Sequence, residues 1–346
     1  MSARSSRVTS RDVARLARVS QSSVSRAFTA GSALSDEKRA RILEAAKRLN
    51  YVPNSIASML ITRRSNTIAL IVGNTDNPFY IGVLKEFLAE LQAGGRQVLT
   101  FVVDPGSSSD DVIMRVLQHQ VDGIILTAAQ LSTQSTSLCR DRGIPIVLFN
   151  RYIPRIETVA VRCDNAGGAE TLGRAFLAAG ATSFAIIKGD PLGTTSHDRV
   201  QGFRDALWRA GIPATALMEI EGGSVYDTAF AAIRDTYGVG GEAIPDGIFA
   251  VNDVMAMGAI DALRFELGRR VPEDIMVAGF DGIPEASRAP YRLTTMVQPI
   301  QAMVQTTVGL LIDDAGEEGS DPPKIESDII LDCKILWGAT LPDAAA

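Results

Sequence analysis

Seven short apolar runs recur along the chain after residue 65: Ile68 to Val72, Val98 to Val103, Gly123 to Leu126, Ile144 to Phe149, Phe184 to Ile187, Ile248 to Val251 and Met276 to Phe280. Helix-length stretches separate them. This alternation predicts parallel sheets with helices on both faces. Residues 66 to 346 exceed one comfortable hydrophobic core, so two lobes are expected. No stretch is long and apolar enough to span a membrane, and the arginine-rich N-terminus lacks the apolar core of a secretory signal, which predicts a cytoplasmic protein. Cys139, Cys163 and Cys333 form an odd, unpatterned set, read as buried thiols and not as disulfides or a metal site.

The first 64 residues carry the opposite charge to this body. They hold 13 Lys and Arg against 4 Asp and Glu, whereas the remainder holds 21 against 36. A basic module on an acidic globule suits a chain of which one end meets a polyanion. The alternative, a solvated charged tail, would show no apolar periodicity, and this segment is patterned as three short helices. Thr9 followed by Asp12 is a capping signature, with Val13, Leu16 and Ala17 on one face. Ser20 caps a second helix, Gln21 to Phe28, whose Val24 and Phe28 pack back onto the first. Ser35 caps a third with an Ile42, Leu43, Ala46 and Leu49 stripe, ended by Asn50. The first two helices make a helix-turn-helix.

The runs Val8-Thr9-Ser10-Arg11-Asp12-Val13-Ala14, Val19-Ser20, Val24-Ser25-Arg26 and Leu49-Asn50-Tyr51-Val52-Pro53-Asn54, with Ala57 and Leu60, closely resemble the DNA-binding head of the lac repressor family of bacterial transcription regulators. The resemblance implies that the second helix enters the major groove and that Gln21, Ser22 and Arg26 read base edges. The chemistry agrees, since Gln pairs with adenine, Arg with guanine and a hydroxyl with either kind of edge. Ser20, Ser23, Ser25 and the surrounding arginines are expected at the DNA phosphates, and Thr9 is a further DNA-binding candidate. Arg18 stands where relatives place Gly or Asn, so the turn is expected to be strained by about 1 kcal/mol or differently shaped. After Pro53, Asn54 opens a stretch too short to be a stable isolated helix. By resemblance it is a hinge helix that contacts DNA through Asn54 and Ala57 and wedges Leu60 into the minor groove. The expected organisation is a head at 1–52, a hinge and linker at 53–65, and an effector and dimerisation domain at 66–346.

The resemblance continues, more loosely, through the body and implies a periplasmic-binding-protein-like pair of Rossmann-like lobes. Crossings are expected near Cys163 to Asp164, near Tyr291 to Leu293 and near Glu318 to Lys324. The first lobe would then be about 66–163 and 292–320, and the second about 164–291 and 321–346. Ligands of such folds sit at the carboxyl ends of the strands, between the lobes. The residues there are Asp76, Asn77, Phe79, Asn150, Arg151, Asn252 and Asp281; the resemblance adds Arg199, as the arginine that grips sugar hydroxyls, with His197 as a further candidate, while His119 reads as surface. Amides, carboxylates and an arginine beside an aromatic ring suit a polyhydroxylated ligand. Arg151 and Arg199 could equally clamp an acid, so sugar and sugar acid are both open.

Two histidines and three scattered cysteines assemble no catalytic set, and no cofactor or metal is expected. A solute-binding protein would share the body but not Thr9 to Leu60. The expected protein is a homodimeric transcription regulator on a palindromic operator of double-stranded DNA, a repressor released by its effector or, alternatively, one that needs a corepressor. The C-terminal stretch from Leu341 carries no leucine heptad, so tetramers are not expected.

Overall fold

The computed structural model describes residues 8–28, 32–52, 64–103, 109–127, 131–154, 158–313 and 328–343. Two compact units meet at Ser65 and Asn66. In the head, α1 (Ser10–Ala17), α2 (Gln21–Ala27) and α3 (Asp36–Arg48) close a core of Val13, Ala14, Ala17, Val24, Ala27, Ile42, Ala45 and Ala46. Leu16 and Leu43, expected inside, are 42 % exposed each, because small alanines let the helices approach and leave the longer side chains at the rim. Phe28 is likewise at the rim, tilted against Tyr51. Arg18 caps α1 in the left-handed region, at φ 51° and ψ 52°. The turn keeps its shape and carries the strain of a β-carbon there. The hinge, with Asn54, Ala57 and Leu60, lies outside the described residues.

The body holds two six-stranded sheets. In the first, β1 (Thr67–Gly73), β2 (Gln97–Val103), β3 (Gly123–Leu126), β4 (Ile146–Phe149), β5 (Val159–Cys163) and β11 (Ile329–Leu331) are all parallel, in the order β11-β5-β4-β3-β1-β2. In the second, β6 (Phe184–Lys188), β7 (Leu217–Glu221), β8 (Gly247–Ala250), β9 (Met276–Asp281), β10 (Thr294–Val297) and β12 (Lys334–Leu336) run β12-β10-β9-β8-β6-β7, with only the β10–β12 pairing antiparallel. Every residue of β1, β3 and β8 is buried, as parallel strands covered on both faces must be.

The helices that matter for the site are α4 (Pro78–Ala93) in the first lobe, and α7 (Asn165–Ala178), α8 (Thr194–Arg209) and α10 (Asp253–Asp261) in the second. Each of α4, α7 and α10 starts directly beyond a strand, and Asn77, Asp164 and Asn252 cap them by accepting from Phe79 N, Gly167 N and Met255 N. Helices α7 and α8 pack closely because position 202 is glycine: a β-carbon there would lie 2.1 Å from Ala166 O. Below α8, Phe203 stacks on Phe249 at 4.9 Å.

Two of the expected crossings move. Residues 294–297 form β10 of the second sheet, tied down by Thr294 Oγ1 donating to Leu341 O at 2.8 Å, so the second crossing follows Val297 and not Tyr291 to Leu293. Glu318 to Lys324 lie outside the described residues, but β11 pairs with β5 and β12 with β10, which places the third crossing at Asp332 and Cys333.

Candidate functional site

Gln21, Ser22, Ser25 and Arg26 are exposed together on one face of α2, while Ser23, Val24 and Ala27 turn inward. The i, i+1, i+4, i+5 spacing produces this split on a 3.6-residue helix. Ser20 caps α2 by accepting from Ser23 N at 3.2 Å. Ser23 itself is 4 % exposed and hydrogen-bonds the Ser20 hydroxyl at 2.9 Å, so it supports the cap and presents nothing to a phosphate. The Gln21 amide donates to Ser10 Oγ at 2.8 Å, which orients it at the start of the helix. Thr9 is exposed and donates through both N and Oγ1 to Asp12 Oδ2, at 3.0 and 2.7 Å. The exposed face of α2 thus carries one cation, Arg26, near its end.

In the body, Asn74, Asn77, Phe79, Tyr80, Asn150, Thr195, Ser196, Arg199, Ser224, Val251, Asn252 and Asp281 line a cleft between the lobes. Arg199, 4 % exposed, is its centre. Its Nε donates to Asn165 Oδ1 at 2.7 Å, and Nη1 donates to Val251 O at 2.6 Å and to Asp281 Oδ1 at 2.9 Å. The guanidinium sits 3.8 Å from the centroid of the Phe280 ring. Asp281 Oδ1 also accepts from Gln298 Nε2 at 2.8 Å, and Asn77 reaches it from the first lobe. Two buried atoms on residues that line the cleft, Arg199 Nη2 and Asn150 Oδ1, have no partner among the described residues, and neither does Gln298 Oε1 beside Asp281. Buried polar atoms are nearly always paired, so orphans in one cleft mark a place for a ligand or water.

Backbone strain gathers in the same place. Asn74, Asn150, Ser224 and Asp281 have φ of 53°, 67°, 67° and 126°. Asparagine tolerates the left-handed region, but Asp281 at 126° is costly and is held by Arg199, Gln298 and Asn77; such outliers collect at ligand clamps. The free volume of the cleft is about 40 Å³, against roughly 300–1,000 Å³ for ordinary ligand pockets, so the lobes must part to admit a ligand. A wider hollow of about 480 Å³ at Tyr237, Glu242, Arg269 and Asp274 contains no orphaned buried atom.

Beside the cleft a polar latch joins the lobes. Tyr152 Oη, beyond β4, donates to Asp198 Oδ1 on α8 at 3.0 Å, and Arg162 on β5 lies 3.6 Å from Asp198 Oδ2 with its guanidinium 4.8 Å from the Tyr152 ring centroid. Thr194 Oγ1 donates to Tyr152 O at 3.1 Å. Burial raises the Asp198 carboxyl from its ordinary value, against the opposing pull of Tyr152 and Arg162.

Of the residues expected in the cleft, Asn77, Phe79, Asn150, Arg199, Asn252 and Asp281 line it. Asp76 and His197 are exposed and do not: His197 is one residue off the helical face that turns Ser196 and Arg199 inward, and Asp76 precedes the cap. Arg151 also stands outside the lining, with Nη2 3.4 Å from where a β-carbon on Gly193 would sit. Thr195 and Ser196 were legible as one and nearly one turn before Arg199, and Tyr80 as three residues after Asn77. Asn165 and Gln298, which hold Arg199 and Asp281, carry no local signal.

Asp253, at the first turn of α10, extends the network deeper within the second lobe. Its Oδ1 accepts from Thr295 Oγ1 at 2.5 Å and its Oδ2 from Ile283 N at 2.9 Å. Burial, and then the charge of Asp281, push it up to about 7 from an ordinary 3.8. A carboxyl that binds its proton more tightly when folded adds stability that is fully present below the unfolded value and lost as pH rises through the folded one. Melting temperature is therefore expected to fall between about pH 4 and about pH 7 in the parent, and to fall less steeply in Asp253→Asn. Equal slopes in the two proteins would mean that Asp253 is charged throughout.

Residues 9–54 match the model of bacterial regulatory proteins of the lacI family, and residues 174–340 match that of a periplasmic binding protein-like domain. The HTH-type transcriptional regulator CelR of Thermobifida fusca is 30 % identical over 320 residues, which cover 90 % of this chain and 93 % of that protein. A solved CelR–cellobiose complex is similar at TM-score 0.68 and 27 % identity, over 96 % of this chain and 100 % of that one. The lac repressor dimer bound to operator and the anti-inducer ONPF is similar in fold, at TM-score 0.84 and 22 % identity, over 97 % of this chain and 99 % of that one. With a helix-turn-helix head, a two-lobed body and these relatives over nearly its full length, the chain is a DNA-binding transcriptional regulator and belongs to the lacI family of bacterial regulatory proteins.

Proposed function

We propose that the protein is a cytoplasmic homodimer that binds a two-fold symmetric operator through α2 and changes its operator affinity when a neutral, polyhydroxylated small molecule enters the cleft. The observation that carries the effector class is the pair of orphaned buried atoms on residues that line the cleft, a donor on Arg199 and an acceptor on Asn150. A hydroxyl both donates and accepts and so satisfies either kind; a carboxylate accepts only. The charge of Arg199 is already matched by Asp281 at 2.9 Å, which removes the excess cation that a sugar acid needs. Support also comes from the CelR–cellobiose complex, whose partner is a neutral sugar. On the DNA side, Gln21, Ser22, Ser25, Arg26, Ser20 and Thr9 supply the contacts, with Asn54, Ala57 and Leu60 of the hinge; a dimer doubles the base contacts of one small head.

The test is operator titration of the full chain with neutral mono- and disaccharides and with sugar acids. A neutral sugar is expected to change operator affinity by about 5- to 150-fold, the usual range of allosteric coupling, in the direction that identifies it as inducer or corepressor. Response to sugar acids alone would overturn the neutral reading.

The latch adds a second expectation. A ligand that bridges the lobes binds to the closed arrangement, and its apparent affinity scales with the population of that arrangement. Tyr152→Phe removes one hydrogen bond across the lobes, worth about 0.5–1.5 kcal/mol, so apparent sugar affinity is expected to drop by about 2- to 10-fold with operator specificity unchanged. Calorimetric titration checks it, and an affinity equal to the parent's would show that the latch does not bias closure.

A further inference from the structure

Cys163 and Cys333 are remote in sequence and meet at the junction of the lobes. Cys163 ends β5, at the first crossing, and Cys333 lies on the third, between β11 and β12. The parallel pairing of these strands sets Leu331 opposite Cys163, and Asp164 N donates to Leu331 O at 2.8 Å, so the two crossings run side by side. Both thiols grip the same short segment: Cys163 Sγ donates to Asn165 Oδ1 and Cys333 Sγ to Asp164 O, each at 3.4 Å. Cys333 fills the space beside the first turn of α7, where a β-carbon on Gly168 would lie 2.5 Å from its sulfur. The two sulfurs are close enough to interact, and this interaction lowers the Cys333 thiol and, together with burial, raises that of Cys163. Cys163 is buried and Cys333 only partly so.

The atom that Cys163 touches is the one that holds the cleft arginine, since Asn165 Oδ1 accepts from Arg199 Nε at 2.7 Å. One oxygen therefore joins the thiol pair to the centre of the cleft.

We propose that Cys163 and Cys333 are a redox modification site, at which a hydroperoxide converts the pair to a disulfide that ties the first and third lobe crossings together and alters the seat of Arg199 through Asn165. The thiolate of the more accessible Cys333 attacks one peroxide oxygen; the S–O bond forms as O–O breaks, and water leaves. The Cys163 sulfur then attacks the Cys333 sulfenic acid, forming S–S and releasing a second water. In sum, two thiols and one hydrogen peroxide give one disulfide and two waters, with two electrons passing from sulfur to oxygen. Closing a sulfur–sulfur bond of about 2.05 Å draws the two crossings together and takes the thiol donor away from Asn165. The effect on sugar response rests on the cleft reading above; the disulfide and its local consequences do not.

The full chain is treated with hydrogen peroxide, alkylated, digested without reductant and mapped by mass spectrometry. A Cys163–Cys333 linked peptide is expected in the parent and in Cys139→Ser, lost on addition of dithiothreitol and absent from Cys333→Ser. Cys333 is partly exposed, so its serine variant disturbs the core less than one at Cys163; Cys163→Ala is the second variant, expected to leave Cys333 oxidised without a link. Hydrogen exchange then compares oxidised and reduced parent, and amides 165–168 together with those around Arg199 are expected to change rate at least severalfold. Oxidation of Cys333 to sulfinic acid with Cys163 still free, a link to Cys139, or a Cys163–Cys333 link with unchanged exchange would each overturn the proposal. Sugar titration of the reduced protein tests the cleft separately, so failure of that reading leaves these outcomes intact.

Discussion

Arg199→Ala is expected to destabilise the body by about 3–5 kcal/mol, the cost of leaving one partner of a buried ion pair without the other. The Arg199 and Asp281 side chains are each 4 % exposed, so the orphaned carboxylate has no route to water. Gln298 and Asn77 would still donate to it, but neither carries charge. The variant also loses the bonds to Asn165 and Val251 and the packing on Phe280. Denaturant unfolding of parent and variant measures the loss, and a midpoint within experimental error of the parent's would show that the pair is solvated and the network dispensable. Arg199→Lys separates stability from recognition. It keeps the charge beside Asp281 but not the planar fork that reaches Asn165 and Val251 while leaving Nη2 free, so most of the stability is expected to survive while sugar response is lost.

The second large effect is on DNA. Arg26→Ala is expected to reduce preference for the cognate operator over unrelated DNA by about 1–3 kcal/mol, the discrimination carried by one good bidentate contact to a base. Arg26 is exposed on the same face as Gln21 and Ser22, the face proposed above to meet DNA. A phosphate contact would instead weaken both DNAs alike and reduce the salt dependence by about one charge. Ser23→Ala serves as the internal comparison. Ser23 is buried against Ser20, so its removal is expected to loosen the start of α2 and not to relax base preference.

Much of this molecule is written locally. Thr9 with Asp12, Ser20 and Ser35 mark the starts of three helices, and the observed α1, α2 and α3 begin one residue after each. The apolar runs became β1, β2, β3, β4, β6, β8 and β9 within a few residues of the expected bounds. What went unread were strands whose apolar character is diluted. Val159–Cys163 contains Arg162, and Thr294–Val297 begins with two threonines; each is a strand because its neighbours pair with it, β4 and β11 in the first case and β9 and β12 in the second, while Asp328 and Leu341 O satisfy the polar side chains of Arg162 and Thr294. Misreading the second displaced a lobe crossing.

The cleft divides in the same way. Asn77 and Asn252 were legible because each follows an apolar run, and the carboxyl ends of strands face the ligand side of an α/β sheet; the structure adds that each caps the helix that follows. Arg199 lies within a helix, six residues past its cap Gly193, and was found by resemblance. His197, two residues earlier, shows why position in sequence is not enough: a rotation of about 200° along an α-helix separates a ligand face from solvent.

By itself, then, the sequence determined the elements and their faces, because capping, periodicity and charge act between residues a few positions apart. Only the tertiary structure decided which distant residues meet. Strand order brings Asp281, Gln298 and Arg199 together, two strands crossing side by side set Cys163 against Cys333, and two lobes closing on each other make Tyr152, Arg162 and Asp198 a latch. These contacts depend on sheet register, and register is set by how whole faces pack, a sum over the core that no short window of residues contains.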